Sequence, residues 1–192
     1  MANRWFILGL LFITRISLGF QFQTMGSTSD KVIYELALNY AEIGTLIGLC
    51  MLPGLFLAVP AGLAGNFFSD KALIGFGLIA LSLGGTIAGL SQGFGFLSVG
   101  RVICGIGFVV STIFFAKVLI DWFEGKELAT AMSVLVMSWP FGIAMGQVGH
   151  GWLSAFLDWR WAFYIASLYC AVSAALMILL YCRPVKELRD NG

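Results

Sequence analysis

The sequence predicts an all-α integral membrane protein with six transmembrane helices. Hydrophobic residues make up 59% of its 192 residues, charged residues only 11%, and the mean hydropathy is +0.93. A soluble domain of this size could not cover its surface with so few polar side chains. Crossing the hydrocarbon core takes roughly 20 apolar residues in a helix, and six segments are long enough. They lie at about 5 to 26, 40 to 64, 72 to 90, 95 to 117, 129 to 153 and 161 to 181.

The first predicted span is expected to remain in the membrane. Its apolar run is too long for a cleaved signal, no A-x-A cleavage site follows it, and five further apolar segments come after it. Residues 27 to 39 are predicted to form a short outer loop. Asn39 followed by Glu42 matches a capping box and predicts the start of the second helix.

Small residues at helical spacing predict how the next four spans pack, because small side chains let helices approach closely in lipid. These stripes are Gly54, Ala58, Ala61 and Gly65; Gly77, Ala80, Gly84 and Ala88; Gly100, Cys104, Gly107 and Ser111; and Gly142, Gly146 and Gly149. The sixth span is followed by Pro184, which cannot continue a helix interior. We therefore expect a bundle over residues 1 to 182 and a polar cytoplasmic tail, the start of a central linker, over 183 to 192.

The distribution of basic residues predicts cytoplasmic N and C termini. With that orientation seven basic residues lie inside, and only Lys31 and Arg160 lie outside. Trp5 and Trp122 then fall at the inner surface, where amphipathic rings are favoured, and Trp139 is the only tryptophan in mid-helix. The expected location is the inner or plasma membrane.

Composition excludes several classes of function. A net charge of +1 provides no basic excess for nucleic acid. The four cysteines lie in apolar runs without C-x-x-C spacing, and the single histidine, His150, leaves no metal site to expect. Neither the G-x-S-G nor the H-E-x-x-H motif of membrane proteases occurs, and there is no Walker loop. We expect no enzyme activity and no cofactor.

An internal repeat predicts a functional architecture. Residues 15 to 19 read Arg-Ile-Ser-Leu-Gly in the first span, and residues 101 to 105 read Arg-Val-Ile-Cys-Gly in the fourth, 86 positions later. Pro53 in the second span and Pro140 in the fifth differ by 87 positions. Since three spans make each unit, the second unit would cross the membrane inverted relative to the first. Inverted three-helix repeats are typical of secondary transporters.

Two motifs resemble the major facilitator superfamily, specifically its N-terminal six-helix half, and the likeness covers essentially the whole chain. Residues 101 to 107, Arg-Val-Ile-Cys-Gly-Ile-Gly, are similar to the fourth-helix motif of that family. Residues 158 to 163, Asp-Trp-Arg-Trp-Ala-Phe, are similar to the stretch that opens its sixth helix. The resemblance implies half of a twelve-helix fold with the solute held between two halves. Residues 20 to 23, Phe-Gln-Phe-Gln, together with the short polar loops, resemble nitrate/nitrite porters and cyanate permeases.

The family's signature loop between helices two and three is altered here. Residues 62 to 71 occupy its place, but Asn66 stands where aspartate is usual, Phe67 replaces arginine and Asp70 replaces a basic residue. The resemblance implies a gating loop, and a charged latch here would be weakened, or rebuilt around Asp70 and Lys71. Its candidate residues are Gly62, Asn66, Asp70 and Lys71. The fifth-helix pattern also differs, with Gln147 in place of proline and His150 in place of glycine, so no antiporter assignment is carried over.

Arg15 is the strongest candidate for a functional residue. It lies 11 residues past Arg4, about 16 Å along a helix and near the bilayer centre. A charge at that depth costs about 2.5 to 3.5 kcal/mol and is expected to face the bundle interior with a partner. The ten acidic residues fall in loops, helix ends or the tail, so no carboxylate is placed to pair with Arg15 or Arg101. Unpaired arginines would attract a small anion, whose oxygens fit the guanidinium fork.

The remaining candidates carry explicit alternatives. The predicted solute pathway comprises Arg15, Ser17, Gln21, Gln23, Arg101, Trp139 and Gln147. Ser17 could instead bond to its own helix, Arg101 could be architectural, and Trp139 could fill a kink. Hinges are predicted at Pro53, Pro60 and Pro140, because each proline deletes a backbone hydrogen bond.

Together these features predict a secondary transporter, or half of one, that moves a small anion by alternating access. The alternative is a truncated or non-transporting sensor or scaffold that retains the half-transporter fold. Expected partners are the lipid bilayer, an anionic solute, and either a second six-helix half or a second copy of the chain.

Overall fold

The computed structural model describes residues 3–181, and these form six α-helices. Each helix is long and apolar enough to cross a membrane, which confirms the predicted number of spans over this part of the chain. The predicted tail, with Cys182 before it, lies outside the described residues. The helices are α1 Arg4–Leu36, α2 Tyr40–Ala64, α3 Asp70–Gly89, α4 Phe94–Trp122, α5 Gly125–Phe156 and α6 Arg160–Leu180.

The predicted loop over residues 27 to 39 is wrong, because α1 continues to Leu36. The hydroxyls of Thr28 and Ser29 donate to carbonyl oxygens of their own helix at 2.7 and 3.0 Å, so the polar run extends the helix rather than ending it. The helix ends at Leu36, and Ala37 caps it with its N–H bonded to the Ile33 carbonyl. The left-handed backbone of Ala37 (φ 52°) turns the chain so that the Leu38 N–H also bonds this carbonyl, at 3.1 Å. The loop before α2 is correspondingly short.

The predicted capping box at the start of α2 is confirmed. Asn39 Oδ1 accepts from the Glu42 backbone N–H at 2.9 Å, and Glu42 Oε2 accepts from the Asn39 N–H at 2.8 Å. The fourth helix, by contrast, runs past its predicted end near residue 117 to Trp122. Lys117 ends the apolar run without ending the helix, because its ammonium pairs with Asp70 at 2.7 Å.

Glycines bring α3 against α4, as the small-residue stripes predict. A Cβ placed on Gly84 would lie 2.6 Å from both the Gly100 carbonyl oxygen and the Cys104 nitrogen. On the opposite side of the bundle, a Cβ on Gly19 would lie 2.5 Å from the Trp139 carbonyl oxygen and 3.1 Å from the Gly142 Cα. At both interfaces the backbones therefore meet with no side chain between them.

The helix pairings form a regular pattern. α1 packs on α5 and α6, α4 packs on α2 and α3, and α3 packs on α6. These pairings are preserved when α1, α2 and α3 are exchanged for α4, α5 and α6. The inverted orientation of the two units stays a prediction.

Helices α2 and α5 are the least covered. In the most apolar 18-residue stretch of each helix, only 17% and 22% of the residues are buried, against 39% to 61% in the other four helices. Large apolar side chains such as Leu55 on α2 and Val148 on α5 point away from the bundle, with 81% and 74% of their surface exposed. Both helices therefore present a broad apolar face that residues 3–181 do not cover.

Candidate functional site

Arg15 lies half-buried between α1 and α5. Its Nη1 donates to the backbone carbonyl of Leu135, which also accepts from Ser138 Oγ at 2.5 Å. No ion pair within residues 3–181 involves this arginine. A carbonyl dipole satisfies a hydrogen-bond donor but does not neutralise a full positive charge. The cation therefore keeps its charge uncompensated by any carboxylate in this part of the chain.

Arg101 repeats this arrangement, but its side chain is more completely buried in the bundle. Its Nε donates to the Leu46 carbonyl of α2 at 3.2 Å, and its Nη2 donates to the Phe22 carbonyl at 3.5 Å. The side chain is completely buried, and Nη1 has no hydrogen-bond partner among the described atoms. Each arginine bonds a leucine carbonyl in a proline-containing helix of the other three-helix unit, so the two motifs make matching contacts. Arg101 is enclosed, whereas Arg15 is only partly covered.

Three aromatic side chains lie together between α1, α4 and α5. The Trp139 ring centroid is 5.3 Å from that of Phe22 and 4.8 Å from that of Phe108. All three rings are partly exposed while packing against the core. We call Phe22, Phe108 and Trp139 the ring cluster.

Sequence reasoning named Trp139 but missed both phenylalanines. In so apolar a chain, composition does not distinguish one phenylalanine from the others. The repeat could have located them, because Phe22 and Phe108 each follow the repeated arginine by seven residues. Seven residues are about two helical turns, which place each ring on the face of its arginine.

A polar bridge joins α1 to α5 beyond the ring cluster. Gln23 Nε2 donates to Gln147 Oε1, and Ser27 Oγ donates to the same oxygen at 3.2 Å. Gln147, which stands where the family pattern has proline, is exposed. The structure thus brings Arg15, Trp139, Gln23 and Gln147 to one side of α1 and α5.

Ser17 and Gln21 lie elsewhere. Ser17 is fully buried and donates to the Thr14 carbonyl of its own helix at 2.7 Å, which is the alternative considered from the sequence. Gln21 is also buried and contacts Cys104 Sγ at 3.7 Å, in the core formed with α3, α4 and α6. The structure does not bring these two side chains to the ring cluster, and their place in a pathway stays a prediction.

The predicted gating loop is shorter in the structure, because Gly62 lies in α2 and α3 begins at Asp70. The start of α3 is tied to its own bundle. Asp70 is buried and pairs with Lys117 of α4 at 2.7 Å, and Lys71 Nζ donates to the Tyr181 carbonyl at 2.9 Å. Gly62 and Asn66 are exposed. A latch to another body remains a prediction for these four residues.

The three predicted hinges lie inside continuous helices. α2 runs through Pro53 and Pro60, and α5 runs through Pro140. A Cβ on Gly105 would lie 2.5 Å from the Cys50 carbonyl oxygen and 2.8 Å from Pro53 Cγ, so α4 meets α2 at a proline. Bending at these sites stays a prediction. Over residues 3–181 no group of three metal-binding side chains is present.

Comparisons with known proteins agree with this architecture. The family model of the Major Facilitator Superfamily matches residues 6–192. A probable sphingolipid transporter spinster homolog 1 from Arabidopsis thaliana is 34% identical over 161 residues, which are 81% of this chain and 31% of the relative. A probable 4-methylmuconolactone transporter from Cupriavidus pinatubonensis is 24% identical and matches 78% of this chain and 35% of its own length. The chain therefore spans about a third of the length of these curated relatives.

The fold is also found among solved structures. The inward open xylose transporter XylE from E. coli aligns with a TM-score of 0.84 at 12% identity, over 98% of this chain and 51% of that protein. The solved structure shows the shared fold, and the family-model match over residues 6–192 confirms the predicted resemblance to the superfamily. None of the similarities described shows the finer resemblance to nitrate/nitrite porters or cyanate permeases.

Proposed function

Because the chain belongs to the Major Facilitator Superfamily and its relatives are transporters, we propose that it forms one wall of a secondary transporter for a small anionic solute. Transport would follow alternating access, with the solute pathway along α1, α4 and α5. The transporting role is favoured over a sensor or scaffold, since the relatives reported above carry transporter names.

The observation that carries the proposal is the environment of Arg15. Its guanidinium is bonded to the Leu135 carbonyl and has no acidic partner within residues 3–181. A charge held at mid-membrane depth costs about 2.5 to 3.5 kcal/mol on insertion scales, and a carbonyl offsets this only in part. An incoming anion would supply the missing opposite charge, and the planar guanidinium can bind two of its oxygens at once.

The names of the relatives point to different solutes. One relative is a probable 4-methylmuconolactone transporter. The spinster homolog is named for a sphingolipid, so family membership by itself does not select a solute. The assignment of an anion to this chain therefore depends on Arg15.

We further propose that the pathway is completed by a second six-helix body, either another polypeptide half or a second copy of this chain. The broad apolar faces of α2 and α5 support this proposal. We place the assembly in the cell membrane with the start of α1 on the cytoplasmic side, following the distribution of basic residues.

Anion uptake tests the proposed function. The chain is reconstituted in proteoliposomes, and uptake of labelled nitrate, cyanate, acetate and benzoate is measured for the unmodified protein and for Arg15→Gln. We expect at least one anion to be taken up, and its uptake to fall about tenfold or more in the variant, because glutamine keeps hydrogen-bonding capacity but removes the charge.

Arg4→Gln is the matched control. Arg4 lies on the same helix but pairs with Glu127 at 2.6 Å at an exposed end, so its loss should leave uptake nearly unchanged. Uptake that is equal in the unmodified protein and Arg15→Gln would contradict the proposal. Uptake absent for all four anions would contradict a transporter made only of copies of this chain, and the same anions are then tested for binding.

A further inference from the structure

The surroundings of Arg15 contain information about the shape of the solute. Arg15 bonds the Leu135 carbonyl, and Trp139 follows Leu135 by four residues, so the indole lies about one helical turn, about 6 Å, farther along α5. Phe22 follows Arg15 by seven residues and contacts the same indole, with ring centroids 5.3 Å apart. Arg15 and the ring cluster therefore follow one another along α1 and α5, and we call the stretch from Arg15 to the ring cluster the column.

This column favours a solute with two chemically different ends. Faces of aromatic rings carry partial negative charge, so a small inorganic anion gains no electrostatic attraction from them. A flat apolar body, in contrast, gains from leaving water and packing on partly exposed rings. One charged donor beside a predominantly apolar surface is the usual composition of a site for a small organic ligand.

The polar bridge limits the length of the solute. Gln23 follows Arg15 by eight residues, about 12 Å along α1, and its amide is already bonded to Gln147. A solute longer than this distance would have to break the bridge. Arg101 holds Phe22 in place in the ring cluster, because its Nη2 donates to the Phe22 carbonyl and its guanidinium carbon lies 5.8 Å from the Phe22 ring centroid.

We infer that the solute is a small carboxylate with a flat, aromatic or unsaturated body, whose carboxylate displaces the Leu135 carbonyl from Arg15 while the body lies against the ring cluster. This inference rests on the proposed function and makes it more specific, since nitrate and cyanate lack the apolar body. Arg101 is a positioning residue for Phe22 in this arrangement.

Equilibrium binding to the full chain in lipid nanodiscs tests the inference. Three probes separate the two parts of the solute: benzoate has both charge and ring, nitrate has only the charge, and benzamide has only the ring. We expect benzoate to bind at least tenfold more tightly than nitrate, and benzamide to show no measurable binding at the same concentrations.

Variants then show which residues bind the charge of the solute and which bind its ring. Trp139→Leu and Phe108→Leu should each weaken benzoate binding about tenfold and leave nitrate binding unchanged, whereas Arg15→Gln should abolish binding of both anions. Trp152→Leu is the control, because Trp152 also lies on α5 but is 66% exposed and outside the ring cluster. Monodispersity and helical circular dichroism identify any variant that fails to fold, and the two ring variants provide independent readings.

The possible failures are distinguishable. If nitrate binds as tightly as benzoate and depends on Arg15, or if both ring variants fold and bind benzoate normally, the inference is overturned while the anion transporter remains. If no anion binds, or if Arg15→Gln binds anions normally, the proposed function fails together with it.

Discussion

Arg15 and Arg101 show how one local pattern can occupy two different environments. Both donate to a leucine carbonyl in a helix of the other unit, at Leu135 and Leu46. Arg101 is completely enclosed and also bonds the Phe22 carbonyl, so it holds α1, α2 and α4 together. Arg15 is only half-buried. The same residue type is thus enclosed in one repeat and partly exposed in the other.

This difference predicts opposite effects on stability and binding. Arg101→Gln should lower the free energy of unfolding by about 1 to 3 kcal/mol, because two carbonyls lose charge-assisted hydrogen bonds inside the bundle. Arg15→Gln should change stability less, since it removes one hydrogen bond from a half-buried position and the Leu135 carbonyl still accepts from Ser138 Oγ. Unfolding by titration with a denaturing detergent measures both. A larger loss of stability in Arg15→Gln than in Arg101→Gln would contradict the assignment.

At the scale of single elements, glycine determines which helices touch. Gly84 and Gly100 allow α3 and α4 to meet backbone to backbone, and Gly19 and Gly142 do the same for α1 and α5. The second of these contacts lies beside Trp139, Pro140 and the carbonyl bonded by Arg15. Close packing and the candidate site are therefore built on the same stretch of α5.

A matched pair of substitutions tests the role of close packing. Gly84→Ala should lower the free energy of unfolding by about 1 to 3 kcal/mol, because its Cβ would lie 2.6 Å from the backbone of α4 and force the helices apart. Gly48→Ala is the control, since this glycine lies in α2 with nothing within 4 Å of the added Cβ. It should be neutral or stabilising, by up to about 1 kcal/mol, because alanine favours helix. An equal loss of stability in both variants would contradict this role of close packing.

At the scale of the whole molecule, the bundle has two kinds of outer surface. Most residues in the apolar stretches of α2 and α5 are not buried, whereas 56% and 39% of the residues in those of α3 and α6 are buried. Lipid can cover any apolar face. The chain, however, covers 51% of the xylose transporter and spans only about a third of the length of the two curated relatives named above, so these proteins contain more than such a bundle.

We therefore predict that α2 and α5, rather than α3 and α6, contact the second body. Spin labels at Leu55→Cys and Val148→Cys should be shielded from oxygen dissolved in the bilayer, and labels at Leu83→Cys and Leu168→Cys should stay accessible. All four side chains are exposed in the single chain, so they are matched at the start. Equal accessibility at all four positions would contradict the prediction, and native mass spectrometry shows whether the second body is another copy.

Much of the fold could be predicted from the sequence because its signals are local. Apolar runs locate the six spans, and the Asn39–Glu42 box marks the start of α2. The end of α1 was misjudged because serines and threonines can either leave a helix or bond back to it, and only neighbouring contacts decide. Sequence also identified Arg15 as a charge at membrane depth without an acidic partner.

What only the tertiary structure decided concerns residues far apart in the chain. The Leu135 carbonyl lies 120 residues from Arg15, and Lys117 lies 47 residues from the buried Asp70 that it pairs with. The ring cluster likewise draws one ring from each of three helices. A periodic apolar pattern determines that a segment is a helix crossing lipid, since that depends on its own side chains. Which faces meet, and so which polar groups find one another, depends on how all six helices pack.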